Sequence, residues 1–247
     1  MSFLFFVIKV QYSIMYNDIA SIYQHIFPIN QVFLSCLQSL LPEPPASILD
    51  VGCGNGQYVD WFSRHGYYAV GIDSSAGMIE KARQDYQGDF LQLDFSRIDQ
   101  LSDTFDCIFC IGNSLSYLPH ESTTKFLRNV FKLLNSDGFF IIQSINWDNY
   151  RLNGSMEFPI QYLADGRSFH RSYESLPGSV VLFKTEIQRD AQTLQAWSDF
   201  LYPRYAESFQ KEIAETGLEV TGVYGDFEQN PYKTSSSPAL VITTHKS

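Results

Sequence analysis

The chain has 247 residues, of which 45% are hydrophobic and 15% aromatic, and its formal net charge is −10. This length and apolar content suffice for a large folded core and exclude disorder as the main state. The negative charge argues against nucleic acid as a partner, because binding to a phosphate backbone depends on Lys and Arg contacts.

The N-terminus begins with a short apolar run at residues 3–8. This run is too short to span a bilayer, and it has neither the basic start nor the small-residue cleavage site of a signal peptide. We therefore expect a cytoplasmic protein with no membrane partner. Residues before Met15 are interpreted as a start-site extension or as a loosely attached strand.

Two helices are predicted next, over residues 16–27 and 31–41, because apolar residues recur at helical spacing and prolines follow both stretches. Strands and helices then alternate as far as residue 145, which is typical of βαβ units around a parallel sheet. The predicted strands of this part are 47–51, 67–72, 89–93, 105–111 and 139–145, and the predicted helices are 57–65, 76–84 and 120–134.

The pattern changes after residue 147. Three strands without intervening helices are predicted at 167–173, 179–189 and 193–201, and a helix at 205–216 and strands at 218–224 and 238–244 complete the chain. The expected fold class is α/β, with a Rossmann-like, seven-stranded, mostly parallel sheet flanked by helices and an antiparallel β insert after the fifth strand. We expect a single domain made of N-terminal cap helices (1–45), a cofactor-binding core (46–146), an antiparallel insert (147–202) and a C-terminal helix with the last two strands (203–247).

The four cysteines are too few for a disulfide framework. Cys107 and Cys110 form a C-x-x-C inside a predicted buried strand, where an odd offset directs the two side chains to opposite faces. We interpret both as core residues rather than as metal ligands or a redox pair, and we expect no metal site.

The strongest motif follows the first predicted strand, where Asp50 is followed by Gly52, Gly54 and Gly56. Glycine carries no Cβ, so a ligand can approach the backbone there, beside the free N–H groups of a helix N-terminus. A dinucleotide fingerprint requires Gly or Ala where Gln57 stands, and a P-loop requires a Gly-Lys-Ser/Thr that does not follow. The loop therefore predicts a nucleotide-type site, but its sequence argues against a dinucleotide fingerprint and against a P-loop.

With these residues the sequence resembles the class I S-adenosylmethionine-dependent methyltransferases, in which an acid closing the first strand is followed by G-x-G-x-G. Asp73 ends the second predicted strand, where the family's acid binds the ribose hydroxyls, and Asp94 follows the third, where the family places an acid or amide at the adenine amino group. Helix capping or a solvated loop end is the alternative for both. Residues 105–111 and 133–139 resemble the family's fourth strand and its turn into the fifth.

The resemblance implies S-adenosylmethionine as the cofactor. Cys53 is interpreted as a small residue that fits the loop, because methyl transfer from a sulfonium needs no covalent enzyme intermediate. The implied cofactor-binding residues are Tyr16, Asp50, Gly52, Cys53, Gly54, Gly56, Asp73, Ser74, Met78, Asp94, Phe95 and Ile111.

Asn113 and Ser114 follow the fourth predicted strand in a segment that resembles the glycine N-methyltransferase-like branch, where it faces the methyl donor and acceptor. A turn into the next helix is the alternative. Tyr16 and Tyr23 match a Y-x-x-[IL]-A-x-x-Y pattern of many small-molecule methyltransferases, whose N-terminal helix covers the cofactor. The alternative for these tyrosines is a place in the core.

In the antiparallel insert, alternation places Arg171 and Tyr173 on one strand face and His170 on the other. Arg171 could clamp a substrate carboxylate, and His170 is the candidate base, although solvated charges on an exposed strand are the simpler alternative. The predicted catalytic residues are Asn113 and His170, and the predicted substrate-binding residues are Tyr23, Ser114, Tyr117, Trp147, Arg171 and Tyr173.

The expected function is S-adenosylmethionine-dependent methyl transfer to nitrogen or oxygen of a small-molecule acceptor by in-line displacement. Two alternatives remain: an NAD(P)-dependent oxidoreductase that uses the same loop and Asp73, and a non-catalytic relative that binds the cofactor or a protein partner. The sequence leaves the acceptor and the oligomeric state open.

Overall fold

Apolar strands alternate with amphipathic helices along most of the chain, and the computed structural model arranges the strands in two sheets. The structure describes residues 15–154, 156 and 158–246. The strands are β1 (Ser47–Val51), β2 (Tyr68–Asp73), β3 (Asp89–Gln92), β4 (Phe105–Cys110), β5 (Leu134–Ile145), β6 (Gln161–Tyr162), β7 (Ser168–Leu176), β8 (Val180–Arg189), β9 (Gln192–Leu201), β10 (Glu219–Tyr224) and β11 (Ala239–His245).

The larger sheet has seven strands in the order β10-β11-β5-β4-β1-β2-β3. Strands β1 to β5 pair in parallel, whereas β11 is antiparallel to both β5 and β10. In chain order, β2 and β3 are added on one side of β1, and β4 and β5 are then added on its other side. The loops that follow β1 and β4 therefore diverge at the point where ligands of open α/β sheets bind.

Helices cover both faces of this sheet because successive strand residues point to opposite sides. Ile48 packs in one hydrophobic cluster and its neighbour Leu49 in the other, and Cys107 and Cys110 are likewise divided between the two. The predicted burial of these two cysteines on opposite faces is therefore confirmed. The helices are Tyr23–Ile26, Gln31–Leu40, Gln57–Arg64, Ala76–Asp85, His120–Leu133, Trp147–Asn153 and Ala206–Ala214.

The second sheet, which we call the roof sheet, consists of β6 to β9 in antiparallel order. One part of its inner face buries Phe169 and Trp197 against Met15 and the rest of the N-terminal helical segment. Another part packs on Trp147 and the helix that it begins. The roof sheet is thus held over the large sheet by two short helical segments rather than by strand pairing.

Most predicted elements are found within a few residues of their expected bounds, and the differences have local causes. The predicted helix 16–27 is interrupted, because residues 15–19 are helical and the following turn closes with a bond from Ile22 N to Ile19 O of 2.9 Å. Strand β5 starts five residues early, since Leu134 already pairs with Phe105 before a bulge. The helix at Trp147 was not predicted; Asn146 caps it by accepting from the Asn149 backbone N–H.

The interpretation of the residues before Met15 lies outside the described residues. Over the part that the structure describes, no helix has the length and apolar character needed to cross a membrane.

Candidate active site

The glycine loop after β1 approaches its neighbours too closely for side chains. Gly52 and Gly56 have φ of 82° and 89°, in the left-handed region that favours glycine. A Cβ on Gly52 would lie 2.9 Å from Ser114 Cβ, and a Cβ on Gly56 would lie 2.5 Å from the Phe90 ring. The glycines therefore keep this loop tight against β3 and against the loop after β4.

Asp73, at the end of β2, ties the glycine loop to the next helix. Its Oδ2 accepts from Gly54 N at 3.0 Å and its Oδ1 accepts from Ser75 N at 2.8 Å. Burial raises the pKa of this carboxyl to about 6, although the backbone N–H groups oppose the rise. At neutral pH the site thus holds an ionised carboxylate whose remaining lone pairs are available to a ligand.

Asp50 is the second buried carboxyl of the site, and it is 2% exposed. Its Oδ2 has no hydrogen-bond partner among the residues that the structure describes. Burial, and then the nearby charge of Asp73, raise the pKa of Asp50 well above its ordinary value. An unpartnered buried acceptor of this kind suits a ligand that brings a hydrogen-bond donor or a positive charge.

Two cavities meet at Gly52, at the carboxyl ends of the strands. The larger cavity, of about 620 Å³, lies between the ends of β2 and β3 and the roof sheet, and the smaller, of about 310 Å³, lies under the N-terminal helical segment. The larger cavity is lined by Gly52, Asp73, Ser74, Gln92, Leu93, Asp94, Phe95, Ser96, Arg97, Tyr117, Leu118, Pro119, Glu121, Ser122, Asp199, Phe200 and Tyr202. The smaller is lined by Tyr16, Tyr23, Ile26, Phe27, Pro28, Asn30, Asp50, Gly52, Cys53, Asn55, Gln57, Tyr58, Ile111, Gly112, Ser114, Gln143 and Phe227.

Tyr16 and Tyr117 link the two cavities. Tyr16 lines the smaller and Tyr117 the larger, and their hydroxyl oxygens are 3.1 Å apart. Burial raises the pKa of Tyr16 above its ordinary value, so this hydroxyl stays protonated. The helical segment that carries Tyr16 is anchored by Asn17 Oδ1, which accepts from Gly77 N at 2.6 Å and Ser75 Oγ at 2.8 Å.

Most of the predicted cofactor residues line one of these cavities. Asp94 lines the larger cavity and also caps the 3₁₀ turn after β3, where it accepts from Ser96 N at 2.9 Å. Cys53 lines the smaller cavity, and burial raises the pKa of its thiol well above the usual value, which disfavours a thiolate. Met78 lines neither cavity and instead packs with Met15 below the roof sheet.

Asn113 and Trp147 hold the loop after β4 in place through hydrogen bonds on the side away from the cavities. Asn113 Oδ1 accepts from Ser116 Oγ at 2.7 Å and from Ile145 N at 3.3 Å. Trp147, which is fully buried, donates from Nε1 to Ser116 Oγ at 3.0 Å. Neither side chain lines a cavity, whereas Ser114 and Tyr117 of the same loop do.

The roof-sheet residues of the sequence prediction are spread over both strand faces. His170 Nε2 is 2.8 Å from Ser168 Oγ, on the face opposite to Arg171 and Tyr173. The Arg171 guanidinium lies 4.8 Å from the Phe158 ring centroid, and Tyr173 stacks on the Trp147 ring at 5.4 Å. None of these three residues lines the cavities in the described structure.

Asp199 is the main site residue that sequence reasoning missed. It lies on β9, is 3% exposed, and lines the larger cavity with both carboxylate oxygens unpartnered by any described residue. A signal was present, because Trp197, Asp199 and Leu201 alternate along a predicted strand, which places an acid on its apolar face. Gln143, Tyr58 and Tyr202 also line the cavities without having been predicted.

Comparison with known proteins gives a family match for the central part of the chain. Residues 48–138 match the family described as a methyltransferase domain. The chain is 26% identical over 200 residues to the glycine/sarcosine N-methyltransferase of Halorhodospira halochloris, over 78% of this chain and 72% of that protein. It is 32% identical over 111 residues to the 18S rRNA (guanine-N(7))-methyltransferase of Bos taurus, over 41% of this chain and only 40% of that protein.

Solved structures match almost the whole chain. The CcbJ methyltransferase of Streptomyces caelestis superposes with a TM-score of 0.80 at 20% identity, over 94% of this chain and 98% of that one. An S-adenosylmethionine-dependent methyltransferase of Clostridium acetobutylicum gives a TM-score of 0.74 at 17% identity, over 94% and 99%. Identities this low establish a shared fold, and that fold includes the roof sheet.

Proposed function

The chain belongs to the class I S-adenosylmethionine-dependent methyltransferases, and we propose that it transfers a methyl group to nitrogen or oxygen of a small-molecule acceptor. The observation that carries this proposal is the meeting of two cavities at Gly52, beside Asp50, whose Oδ2 has no hydrogen-bond partner among the described residues. One cavity suits the methyl donor's amino-acid tail, and the other has room for adenosine together with an acceptor.

The residues present fit S-adenosylmethionine. The buried Asp50 carboxylate has an open oxygen for the ammonium of the amino-acid tail, and Gly52 leaves the backbone uncovered beside it. Asp73 and Asp94 offer acceptors in the larger cavity, where ribose hydroxyls and an adenine amino group need them. When bound, the donor supplies a methyl group on a positively charged sulfur.

The chain contributes binding, alignment and exclusion of water. Tyr16 and Tyr23 cover the smaller cavity from the N-terminal helical segment, and the roof sheet closes the larger cavity from above. A closed site holds the acceptor atom in line with the methyl group and removes its hydration, which is where such enzymes gain their rate. The Tyr16–Tyr117 hydroxyl pair joins the linings of the two cavities, and we infer that the acceptor meets the methyl group near this pair.

A small molecule is favoured over RNA as the acceptor. The chain carries a net charge of −10, and the larger cavity is lined by Asp73, Asp94, Glu121 and Asp199 against the single cation Arg97 among its lining residues. A phosphate backbone would be repelled by this arrangement. The name of the glycine/sarcosine relative supports a small acceptor with a nitrogen atom.

Calorimetric titration with S-adenosylhomocysteine tests the donor site, and labelled methyl transfer into a small-molecule cell extract tests the reaction. We expect S-adenosylhomocysteine to bind and NAD(P)H not to bind. Binding of NAD(P)H alone would favour the oxidoreductase, and binding of neither ligand to a folded protein would contradict the proposal. Label that appears in RNA and not in small molecules would contradict its acceptor class.

A further inference from the structure

A buried carboxylate with no partner lies on the inner face of the roof sheet. Asp199 is paired in register with Phe183 of β8, and its strand neighbours Trp197 and Leu201 are buried on the same face. Neither of its oxygens has a hydrogen-bond partner within the described part of the chain. Such a carboxylate destabilises the fold unless a ligand meets it, because burial removes its hydration without replacement.

Arg171 does not neutralise this carboxylate. The two residues share the inner face, but β8 lies between their strands and the register offsets them by two residues, so their Cα atoms are about 12 Å apart. The Arg171 guanidinium instead lies over the rings of Phe158 and Phe27, at 4.8 and 5.5 Å. Space for a separate group therefore remains in front of Asp199.

The surroundings of Asp199 favour a cation. The same cavity is lined by other titratable and charged groups, which are Asp73, Asp94, Arg97, Tyr117, Glu121 and Tyr202. Two more groups lie close enough for electrostatic interaction: Tyr16 on the N-terminal helical segment and Arg171 on β7. Arg97 is engaged with Gln100, at 2.9 Å. The carboxylates thus outnumber the cations, and their combined field attracts a positively charged acceptor.

We propose that Asp199 binds the ammonium group of an amine acceptor and takes one of its protons, so that the nitrogen lone pair is free for methylation. This assignment rests on the proposed function and makes it specific, since the acceptor atom is then nitrogen. Burial raises the pKa of Asp199 to about 7, which suits a general base at neutral pH.

The proposed step balances. An N–H bond of the ammonium breaks as the Asp199 carboxylate becomes a carboxylic acid, and the amine is left neutral. Its lone pair then forms a bond to the methyl carbon, and the electron pair of the broken C–S bond stays on sulfur. The products are an N-methylammonium and S-adenosylhomocysteine, and Asp199 returns its proton to water.

The test compares Asp199→Asn with Glu174→Gln, which makes the same carboxylate-to-amide change on the exposed outer face of the roof sheet, where Glu174 pairs with Lys184. Transfer of labelled methyl into a small-molecule extract is measured for each variant, the products are classed by mass spectrometry, and S-adenosylhomocysteine binding is measured by calorimetry. We expect N-methylated products, a loss of at least 100-fold for Asp199→Asn, and changes of less than twofold for Glu174→Gln. Affinity for S-adenosylhomocysteine should stay within twofold in both variants.

Products that are ethers or esters would overturn the assignment, and so would an Asp199→Asn activity within threefold of wild type. A wild-type protein that does not bind S-adenosylhomocysteine would instead overturn the proposed function, so the two failures are distinguishable.

A second readout needs no acceptor. The pKa of Asp199 is raised on folding, so its charge costs stability increasingly as pH rises from about 4 to 7. The melting temperature of Asp199→Asn relative to wild type should therefore be higher at pH 8 than at pH 5.5, by about 3 °C. An equal difference at both pH values would mean that Asp199 has a structural partner, and the assignment would fail.

Discussion

The donor side and the roof side of the site are built in different ways. On the donor side, loops that follow β1 and β2 meet through backbone groups, such as the bond from Gly54 N to Asp73 Oδ2. On the roof side, Asp199 reaches the cavity from a sheet that does not pair with the large one. Local backbone geometry thus sets the proposed donor site, whereas tertiary packing sets the proposed acceptor site, and the two should respond differently to substitution.

The largest difference should follow from adding a single methyl group at a glycine of each region. Gly56 and Gly166 both have positive φ, of 89° and 83°, but a Cβ at Gly56 would lie 2.5 Å from the Phe90 ring, whereas one at Gly166 meets nothing within 4 Å. We expect Gly56→Ala to lower the free energy of unfolding by about 3 kcal/mol and Gly166→Ala by about 1 kcal/mol. Urea unfolding measures both, and equal losses would show that steric crowding does not constrain the glycine loop.

Removal of a carboxylate should weaken S-adenosylhomocysteine binding when the carboxylate lies on the donor side, but not when it lies on the roof side. Asp73→Ala deletes the acceptor for Gly54 N and Ser75 N, so affinity for S-adenosylhomocysteine should fall by about 1–3 kcal/mol. Glu174→Ala is the matched removal of a carboxylate from the exposed outer face of the roof sheet, and it should leave that affinity unchanged. Calorimetric titration measures both variants, and circular dichroism checks that both are folded. An unaltered affinity in Asp73→Ala would contradict the assigned role of this residue.

The same contrast explains how far the sequence could be interpreted. The alternation of Ile48 and Leu49 between two faces, and the glycine loop after them, are local patterns that predict strands and a donor site directly. The position of Asp199 depends on contacts distant in sequence, such as the bond from Tyr202 N to Ser116 O at 2.7 Å. The alternation of apolar and polar residues along a strand does not indicate which distant loop that strand will pack against.

Trp147 is the converse case: the sequence predicts that it lines the pocket, and the structure places it elsewhere. Its position just after β5 predicts a pocket wall, but its indole donates to Ser116 and lies behind the loop. Alternation likewise predicts that Arg171 and Tyr173 share one strand face, but the two rings nearest the Arg171 guanidinium belong to Phe158 and Phe27, outside its own strand. The face of a side chain follows from alternation, but its partners do not.

A smaller effect is expected from pH. Burial raises the pKa of Asp73 to about 6, so protonation of this carboxylate below pH 6 removes charge that the proposed donor site uses. Affinity for S-adenosylhomocysteine should therefore fall about fourfold between pH 7.5 and pH 5.5, because the ligand itself carries no group that titrates in this range. The fall should persist in Asp199→Asn, which belongs to the roof side. Its disappearance in that variant would show that the two sides titrate together.

The smallest expected effect concerns the link between the two sides. Trp147→Phe keeps an aromatic ring in the cluster but removes the donor to Ser116 Oγ, which also bonds to Asn113, so the loop after β4 loses one support. Tyr150→Phe is the matched change, since it deletes the 2.8 Å bond between Tyr150 and Ser175 of β7 without touching that loop. Tyr150→Phe should lower the free energy of unfolding in urea by about 1 kcal/mol, and Trp147→Phe by somewhat more, because the smaller ring also leaves a cavity where the indole is fully buried.

Only Trp147→Phe should also lower the rate of labelled methyl transfer, because Ser114 and Tyr117, which line the cavities, belong to the loop that it supports. Affinity for S-adenosylhomocysteine should change little in either variant, since the bonds from Gly54 and Ser75 to Asp73 remain. Equal effects of the two variants on the rate would mean that the roof sheet acts as one rigid body, and that the loop after β4 needs no separate support from Trp147.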